Sequence, residues 1–456
     1  MEEKNLHIAM YPWFAISHLN AFLQLSNKLA ERGHKISFLL PEKTQAKFEP
    51  FNLHKHLINF VPVAVPFVDG LPPGTETTAD VPNPLLPLVM TAMDLTEPAI
   101  EAILSHLKPH FVFYDFTHWL PQLAHKLGIT AIRYCFVGSA TAGYLLSPER
   151  KHSEKILTEA DMMKPPPGFP SSIIKLSPHE ARGMVAMTVT EFGGIPFFKR
   201  QLLAYTLCDA IGIKTCKEIE GPYCDYIRSQ FGKPVILAGP VLPEPPRSVL
   251  EPKWEKLLGG FEAKSLIYCA FGSECSMKKD QFQELVLGFE ITGLPFLAAL
   301  KPPIGCDTIE SALPEGFEDR VKGRGFVHGG WVQQQLILNH PSVGCFVTHC
   351  GSSSLSEAMM TDCQLVFLPN VGDQIIQAKM MAGDLKVGVE VEKGEEDGLF
   401  TREGVCRAVK TVMDENSEVG KQVRDNHAKH TQFLRKQGLE SSYIDGFVLK
   451  LHGLLR

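Results

Sequence analysis

The chain has no excess of basic residues: 45 Lys and Arg stand against 51 Asp and Glu, for a net charge of −6. A protein that lives on nucleic-acid phosphates carries the opposite balance, so a nucleic-acid partner is not expected. Cysteine pairs are missing too. Eleven cysteines lie at irregular spacing between Cys135 and Cys406, with no CxxC and none in the first 134 residues. That pattern argues against a disulfide framework or a zinc site and fits buried thiols in a reducing compartment. The start, Met1-Glu2-Glu3-Lys4-Asn5, has no basic region ahead of an apolar one, so no secretory signal is read there. No apolar run reaches the ~18 residues of a membrane helix. The expectation is a cytoplasmic protein with no membrane span and, lacking a reason for a dimer, a monomer.

Several catalytic signatures are absent. The glycines at Gly323 and Gly325 are followed by Gly329, one residue too late for a dinucleotide fingerprint. No GxxxxGK or GxSxG occurs, and no two aspartates are two residues apart, so a DxD metal clamp is lacking. A nicotinamide-dependent oxidoreductase is thereby disfavoured.

What is present is a strand–helix rhythm. At 456 residues the chain is long enough for two or three domains of ~100–200 residues. Its 44% hydrophobic and 21% charged residues are ordinary for a globular protein. Short apolar runs at Leu6–Trp13, His34–Leu40, Ile58–Val65, Phe111–Phe116, Ile129–Phe136, Ala210–Thr215 and Val235–Val241 are bounded by turn residues. Amphipathic segments between them, such as 86–107 and 119–127, read as helices. Buried strands alternating with helices mean parallel sheets covered on both faces. A proline cluster, Pro243-Glu244-Pro245-Pro246 with Pro252, reads as an extended interdomain linker. The rhythm restarts at Ser265–Ala270 and continues through Pro295–Leu300, Gly325–His328, Val343–Thr348, Gln364–Leu368 and Val387–Val391. The fold class is therefore α/β: two doubly wound halves, with a ligand cleft at the carboxyl ends of the strands. The domains are set at 1–242 and 258–436 around a linker at 243–257, with a final helix at 437–456 returning to the first.

One stretch carries the chemistry. It begins Trp331-Val-Gln-Gln334, passes through Val343–Thr348 into His349-Cys-Gly351-Ser-Ser-Ser354-Leu-Ser-Glu357, and ends at Asp373-Gln374. A buried strand leads into a helix beginning near Ser352–Ser354, where serines are natural N-caps. The unpaired amides and positive dipole end of such a helix attract an anion such as a diphosphate. Glu357, one turn on, suits either a capping box or the diol of a ribose beside that phosphate.

The segment resembles the 44-residue signature of plant family-one UDP-dependent glycosyltransferases, ungapped from Trp331 to Gln374. The resemblance extends over the whole chain and implies two facing Rossmann-like domains (GT-B). It implies that Trp331 stacks on uracil, that Gln334 binds base or ribose, and that Glu357 takes the ribose hydroxyls. It assigns the diphosphate to His349, Ser354 and Ser273, and the donor-sugar hydroxyls to Asp373 and Gln374. Val332, Gly351 and Ser353 complete the UDP-sugar set. The family commonly has Gly-Trp-Asn-Ser where this chain has Gly351-Ser352-Ser353-Ser354, so the donor pocket loses a large ring. No metal and no cofactor are implied; the UDP-sugar is a substrate.

An inverting transfer needs a base on the acceptor hydroxyl, and a histidine suits that work. His18, between the first strand and first helix, matches the family's base by resemblance, and Asp115 its orienter. Independently, Asp115 interrupts an apolar strand and needs a partner, either an imidazole or the helix that follows. Phe14, Phe116, Trp119, Phe136, Met184 and Phe192 offer an aromatic and Met-rich supply for a planar acceptor, although such residues are commonly plain core. The stretches Met10-Tyr-Pro-Trp-Phe, Phe113-Tyr-Asp-Phe-Thr-His-Trp-Leu and Ala160-Asp-Met-Met-Lys164 resemble the branch that extends sugars on anthocyanidin and flavonol 3-O-glucosides. That resemblance implies a flavonoid or anthocyanin glycoside acceptor. UDP-glucose is the favoured donor, with rhamnose, xylose and galactose donors, or transfer to the aglycone, as alternatives. A non-catalytic UDP-sugar-binding protein is the reading from a different class.

Overall fold

The structure is a computed structural model that describes residues 5–151, 156–242, 244, 246, 248–272 and 275–455. Its first sheet has seven parallel strands in the order β3-β2-β1-β4-β5-β8-β9. These are β1 His7–Tyr11, β2 Lys35–Pro41, β3 Ile58–Val63, β4 Phe111–Tyr114, β5 Thr130–Cys135, β8 Ala210–Ile213 and β9 Val235–Leu237. A small antiparallel hairpin, β6 Glu191–Phe192 with β7 Ile195–Pro196, lies outside that sheet. The second sheet has six parallel strands, ordered β12-β11-β10-β13-β14-β15. They are β10 Leu266–Ala270, β11 Phe296–Ala299, β12 Gly325–His328, β13 Val343–Thr348, β14 Gln364–Phe367 and β15 Gly388–Glu390. In each sheet the strand order reverses beside the first strand, β1 or β10, and such a switch point opens a crevice at the strands' carboxyl ends.

The core follows from the apolar runs. All four residues of β4 and all five of β10 are buried, as strands covered on both faces require. The 86–107 segment is two helices, Leu86–Asp94 and Glu97–Leu107, because Pro98 in the first turn of the second has no N–H to extend the ladder. Helix Lys217–Phe231 lies in a region that reads only as strand rhythm. Pro222 and a kink at Glu220 interrupt its periodicity.

The extended linker expected over 243–257 is helical at its end. Pro252–Leu258 form a helix that buries Trp254, whose ring lies 5.0 Å from His328. Pro243 and Pro245 lie outside the described residues. The final helix, Leu439–Leu454, packs Ile444, Phe447, Val448 and Leu451 into the core of the first domain. Among the described residues no helix is long and apolar enough to cross a membrane.

Candidate active site

β1 ends at Tyr11, and helix Ile16–Ala30 begins four residues after Pro12. This short turn puts His18 in the first helical turn, at the mouth of the crevice. β4 ends beside β1 and delivers Asp115 to the same point. His18 Nδ1 lies 2.5 Å from Asp115 Oδ2, with the carboxylate buried and the imidazole partly open. The other carboxylate oxygen, Oδ1, accepts from the backbone amides of Trp13 (2.8 Å) and Phe116 (2.7 Å). Asp115 therefore fastens two loops and the imidazole, and the following helix starts only at Leu120. An ionised carboxylate can only accept. The proton of His18 thus sits on Nδ1, which leaves the Nε2 lone pair available as a base.

Across the crevice β13 leads through His349-Cys350-Gly351 into helix Ser352–Ala358. Cys350 sits at φ +68, a left-handed conformation that a non-glycine residue adopts only when held. Gly351 is required by contact: a Cβ there would come within 2.6 Å of His349 Nε2. Gly351 is the N-cap, and Ser352, Ser353 and Ser354 are the first helical residues. The serines consequently do not cap the helix in the way the sequence suggests. Burial lowers the His349 pKa to about 4, with a backbone contact to Ala270 partly opposing it. The imidazole is neutral at physiological pH.

Glu357 is not part of a capping box. Its Oε2 accepts from Gln334 Nε2 at 2.7 Å, and that nitrogen also lies 3.2 Å from Ser354 Oγ. Gln334, Ser354 and Glu357 therefore form one polar cluster on the side where Trp331 stands 78% exposed and Val332 is buried. Burial raises the pKa of Glu357, opposed by Gln334 and Lys214. Lys214, just past β8, is a cation that the sequence did not single out. Burial lowers it to about 8, opposed by the carboxylates of Glu357 and Glu440.

Asp373 and Gln374 open helix Gly372–Lys379. Gln374 Oε1 accepts from the amides of Asn370 (3.0 Å) and Val371 (3.2 Å). Asp373 is raised to about 6 by burial, and the field of His18 is among the influences opposing this. The structure thus brings Asp373 and His18 to opposite walls of one cleft. Ser273 lies outside the described residues.

The six aromatic and Met positions separate into two groups. Phe116 and Phe136 meet the His18 ring edge-on, at 4.8 and 4.6 Å. Phe192 contacts Phe197 at 5.0 Å, and Phe197 contacts Phe116 at 5.4 Å. Phe14, Trp119 and Met184 are buried, as Phe136 is, but make no ring contact with His18 or Phe116. Trp119 turns its indole N–H to Asp94 at 2.9 Å. Two rings not singled out from the sequence join this contact group: Trp13, stacked on Phe116 at 6.0 Å, and Phe197. Trp13 sits one residue from Phe14, inside the Met10–Phe14 stretch that resembles the glycoside-extending branch. Phe197 follows a hairpin that no periodicity announces.

The family model for UDP-glucoronosyl and UDP-glucosyl transferases matches residues 325–430. Over the full length of both chains, this sequence is 63% identical to the cyanidin 3-O-galactoside 2''-O-xylosyltransferase of Actinidia chinensis var. chinensis. The chain belongs to the UDP-dependent glycosyltransferases. It is 59% identical over 450 residues to the anthocyanidin 3-O-glucoside 2''-O-glucosyltransferase of Ipomoea nil, covering 98% of each. Among solved structures, a UDP-glucose:anthocyanidin 3-O-glucosyltransferase in complex with UDP is similar at a TM-score of 0.79 and 24% identity, covering 99% of each chain. The glycosyltransferase thus has the GT-B fold, and UDP-sugars are the donor substrates of its family. Among the described residues no cluster of three or more His, Cys, Asp or Glu is arranged to hold a metal.

Proposed function

We propose that this glycosyltransferase moves glucose from UDP-glucose to a hydroxyl of the sugar of an anthocyanin or flavonoid 3-O-glycoside, with inversion. The observation that carries this reading is the His18–Asp115 pair, framed by Phe116 and Phe136 and facing Asp373. His18 Nε2 takes the proton of the acceptor hydroxyl as its oxygen attacks the anomeric carbon. The bond from that carbon to the diphosphate breaks on the opposite face, and UDP leaves. Asp115 holds the imidazole and balances the charge it gains. His349, Ser354, Ser273 and the amides following Gly351 receive the diphosphate, so fixed dipoles and no metal balance the charge. Gln334 and Glu357 hold the ribose, Trp331 covers the uracil, and Asp373 with Gln374 binds the donor sugar. The aromatic wall stacks the planar aglycone, leaving its sugar near His18.

Similarity to two relatives named for 2''-O transfer onto anthocyanidin or cyanidin 3-O-glycosides supports the acceptor. One of them is named a xylosyltransferase, which makes UDP-xylose the second donor reading. The setting is a soluble cytoplasmic monomer. The test is UDP release from a panel of UDP-sugars with cyanidin 3-O-glucoside and with cyanidin itself. Turnover of the glycoside with UDP-glucose supports the reading; glycosylation of the bare aglycone alone overturns it.

A further inference from the structure

The loop that carries Asp115 contains a second histidine. From Asp115 to Trp119 burial alternates: Asp115, Thr117 and Trp119 are buried, while Phe116 and His118 are partly open. His118 therefore shares the open side of the loop with Phe116, the ring that touches the base. Behind it lies Arg200, fully buried on helix Phe197–Leu207, one turn beyond Phe197.

A guanidinium has five N–H donors and accepts nothing. Arg200 uses its donors fully. Nε and Nη2 reach the Phe192 carbonyl at 3.2 and 2.8 Å. Nη1 and Nη2 grip the Asp94 carboxylate at 3.0 and 2.5 Å, and Nη1 also meets His118 Nδ1 at 3.0 Å. Asp94 in turn accepts from the Trp119 indole. Gly193, at φ +61, leaves room for this ion pair, which a Cβ would overlap. One set of bonds thereby fixes the hairpin that bears Phe192, the helix that bears Phe197, and the His118 ring.

The arrangement decides where the His118 proton sits. Nδ1 faces a donor that cannot lose its proton, so Nδ1 accepts and the proton is on Nε2. Burial and the Arg200 charge both lower the pKa of this imidazole, against the opposing pull of Asp94, and so favour the neutral ring. Among the described residues Nε2 has no partner. His18 and His118 are thus set in opposite tautomers by their partners: a carboxylate leaves one as a base, and a guanidinium leaves the other as a donor.

We propose that His118 is an acceptor-binding residue whose Nε2–H donates to an oxygen of the glycoside's sugar, with Arg200 as the positioning residue that holds this tautomer. The proposal rests on the glycoside-acceptor reading above.

The test measures binding of cyanidin 3-O-glucoside by fluorescence quenching at saturating UDP, with UDP affinity measured separately on the same samples. His118→Ala is expected to raise the glycoside Kd about tenfold, the loss of ~1.4 kcal/mol, and to leave UDP affinity within twofold. His118→Gln, which returns an N–H near the same place, is expected to recover most of the loss. Arg200→Lys offers three donors in place of five. It is expected to weaken glycoside binding and to shift the His118 imidazole 15N signals away from the single Nε2–H pattern of the parent. An unchanged Kd in His118→Ala overturns the proposal. So does a His118→Gln variant as poor as His118→Ala, or loss of UDP affinity alongside glycoside affinity, which assigns the residue to the fold. A parent enzyme that binds UDP but no glycoside overturns the acceptor reading itself, and this inference with it.

Discussion

Asp115 shows how one atom swap can reverse the chemistry of its neighbour. Oδ1 must face two backbone amides, those of Trp13 and Phe116, which can only donate. In Asp115→Asn the amide oxygen is held there, and the NH2 group is forced toward His18 Nδ1. His18 then accepts at Nδ1 and carries its proton on Nε2, where a base needs a lone pair. The expected outcome is a kcat lower by at least ~10²-fold, similar to His18→Ala, with little change in the thermal midpoint. Turnover near the parent's would show that the tautomer does not matter. Asp373 makes the complementary point about pH. Its folded-state pKa, about 6, lies above the ordinary carboxylate range because burial disfavours the charge. With a raised pKa the folded enzyme binds the proton more tightly than the unfolded chain does. Stability is therefore lost as pH rises from the ordinary carboxylate range toward about 6. Asp373→Asn should melt at least as high as the parent at pH 7.5, and that advantage should shrink below pH 4. Its UDP-glucose KM should rise severalfold. A variant less stable than the parent at pH 7.5 would contradict the inference that the buried Asp373 charge is held at a cost to stability.

Helix Ser139–Leu146 depends on a cap from another element. It starts after Gly138 at φ +93, and Glu220 supplies the acceptor for its first amides. One carboxylate oxygen takes Ser139 N at 2.5 Å and Ser139 Oγ at 2.6 Å, while the other takes Thr215 Oγ1 at 3.0 Å. Removing a buried acceptor leaves these donors unsatisfied, so Glu220→Ala should cost about 2–3 kcal/mol in urea unfolding. A loss below about 0.5 kcal/mol would mean that water replaces the cap. This pairing also shows what the sequence can and cannot reveal. Strands such as β4 and β13 are short apolar runs between turn residues, and their identity is local. The Trp331–Gln374 segment is likewise contiguous, so the elements that carry Gln334, His349, Glu357 and Asp373 can be read in order. The group of rings around His18, proposed to face the acceptor, is not contiguous. Phe116, Phe136 and Phe197 come from three elements, and of the adjacent buried rings Trp13 and Phe14 only Trp13 stacks on Phe116. The Glu220 cap and the Arg200 network join residues about 80 and 106 positions apart. No periodicity encodes those distances.

At the scale of the whole molecule the two domains are joined by seams of different character. Along the cleft the join is mixed: Ser352 Oγ donates to the Phe136 carbonyl at 2.7 Å, Ser171 Oγ to Asp384 at 2.9 Å, and Lys379 pairs with Glu180 at 3.2 Å, beside one buried apolar cluster that holds Ala140 and Tyr144 of the first domain with Ile376 and Met380 of the second. At the back the join is apolar. Helix Leu439–Leu454 follows the second domain's last helix and buries its inner face against the first sheet. The Phe447 ring lies 6.0 Å from Phe113 of β4, and Tyr443 OH contacts Glu218 at 2.6 Å. Arg32 and Asp445 close the edge at 2.5 Å, an exposed pair that adds little. The apolar face should therefore dominate. Phe447→Ala removes a fully buried ring and should cost about 3–5 kcal/mol of first-domain stability. The polar cluster of Gln334, Ser354 and Glu357, proposed to hold the uridine end of the donor, belongs to the other domain, so the folded fraction should retain its UDP affinity. Urea unfolding paired with calorimetric UDP titration separates the two effects. A fall in UDP affinity without loss of stability would mean that the returning helix governs how the cleft closes instead of how the first domain holds together.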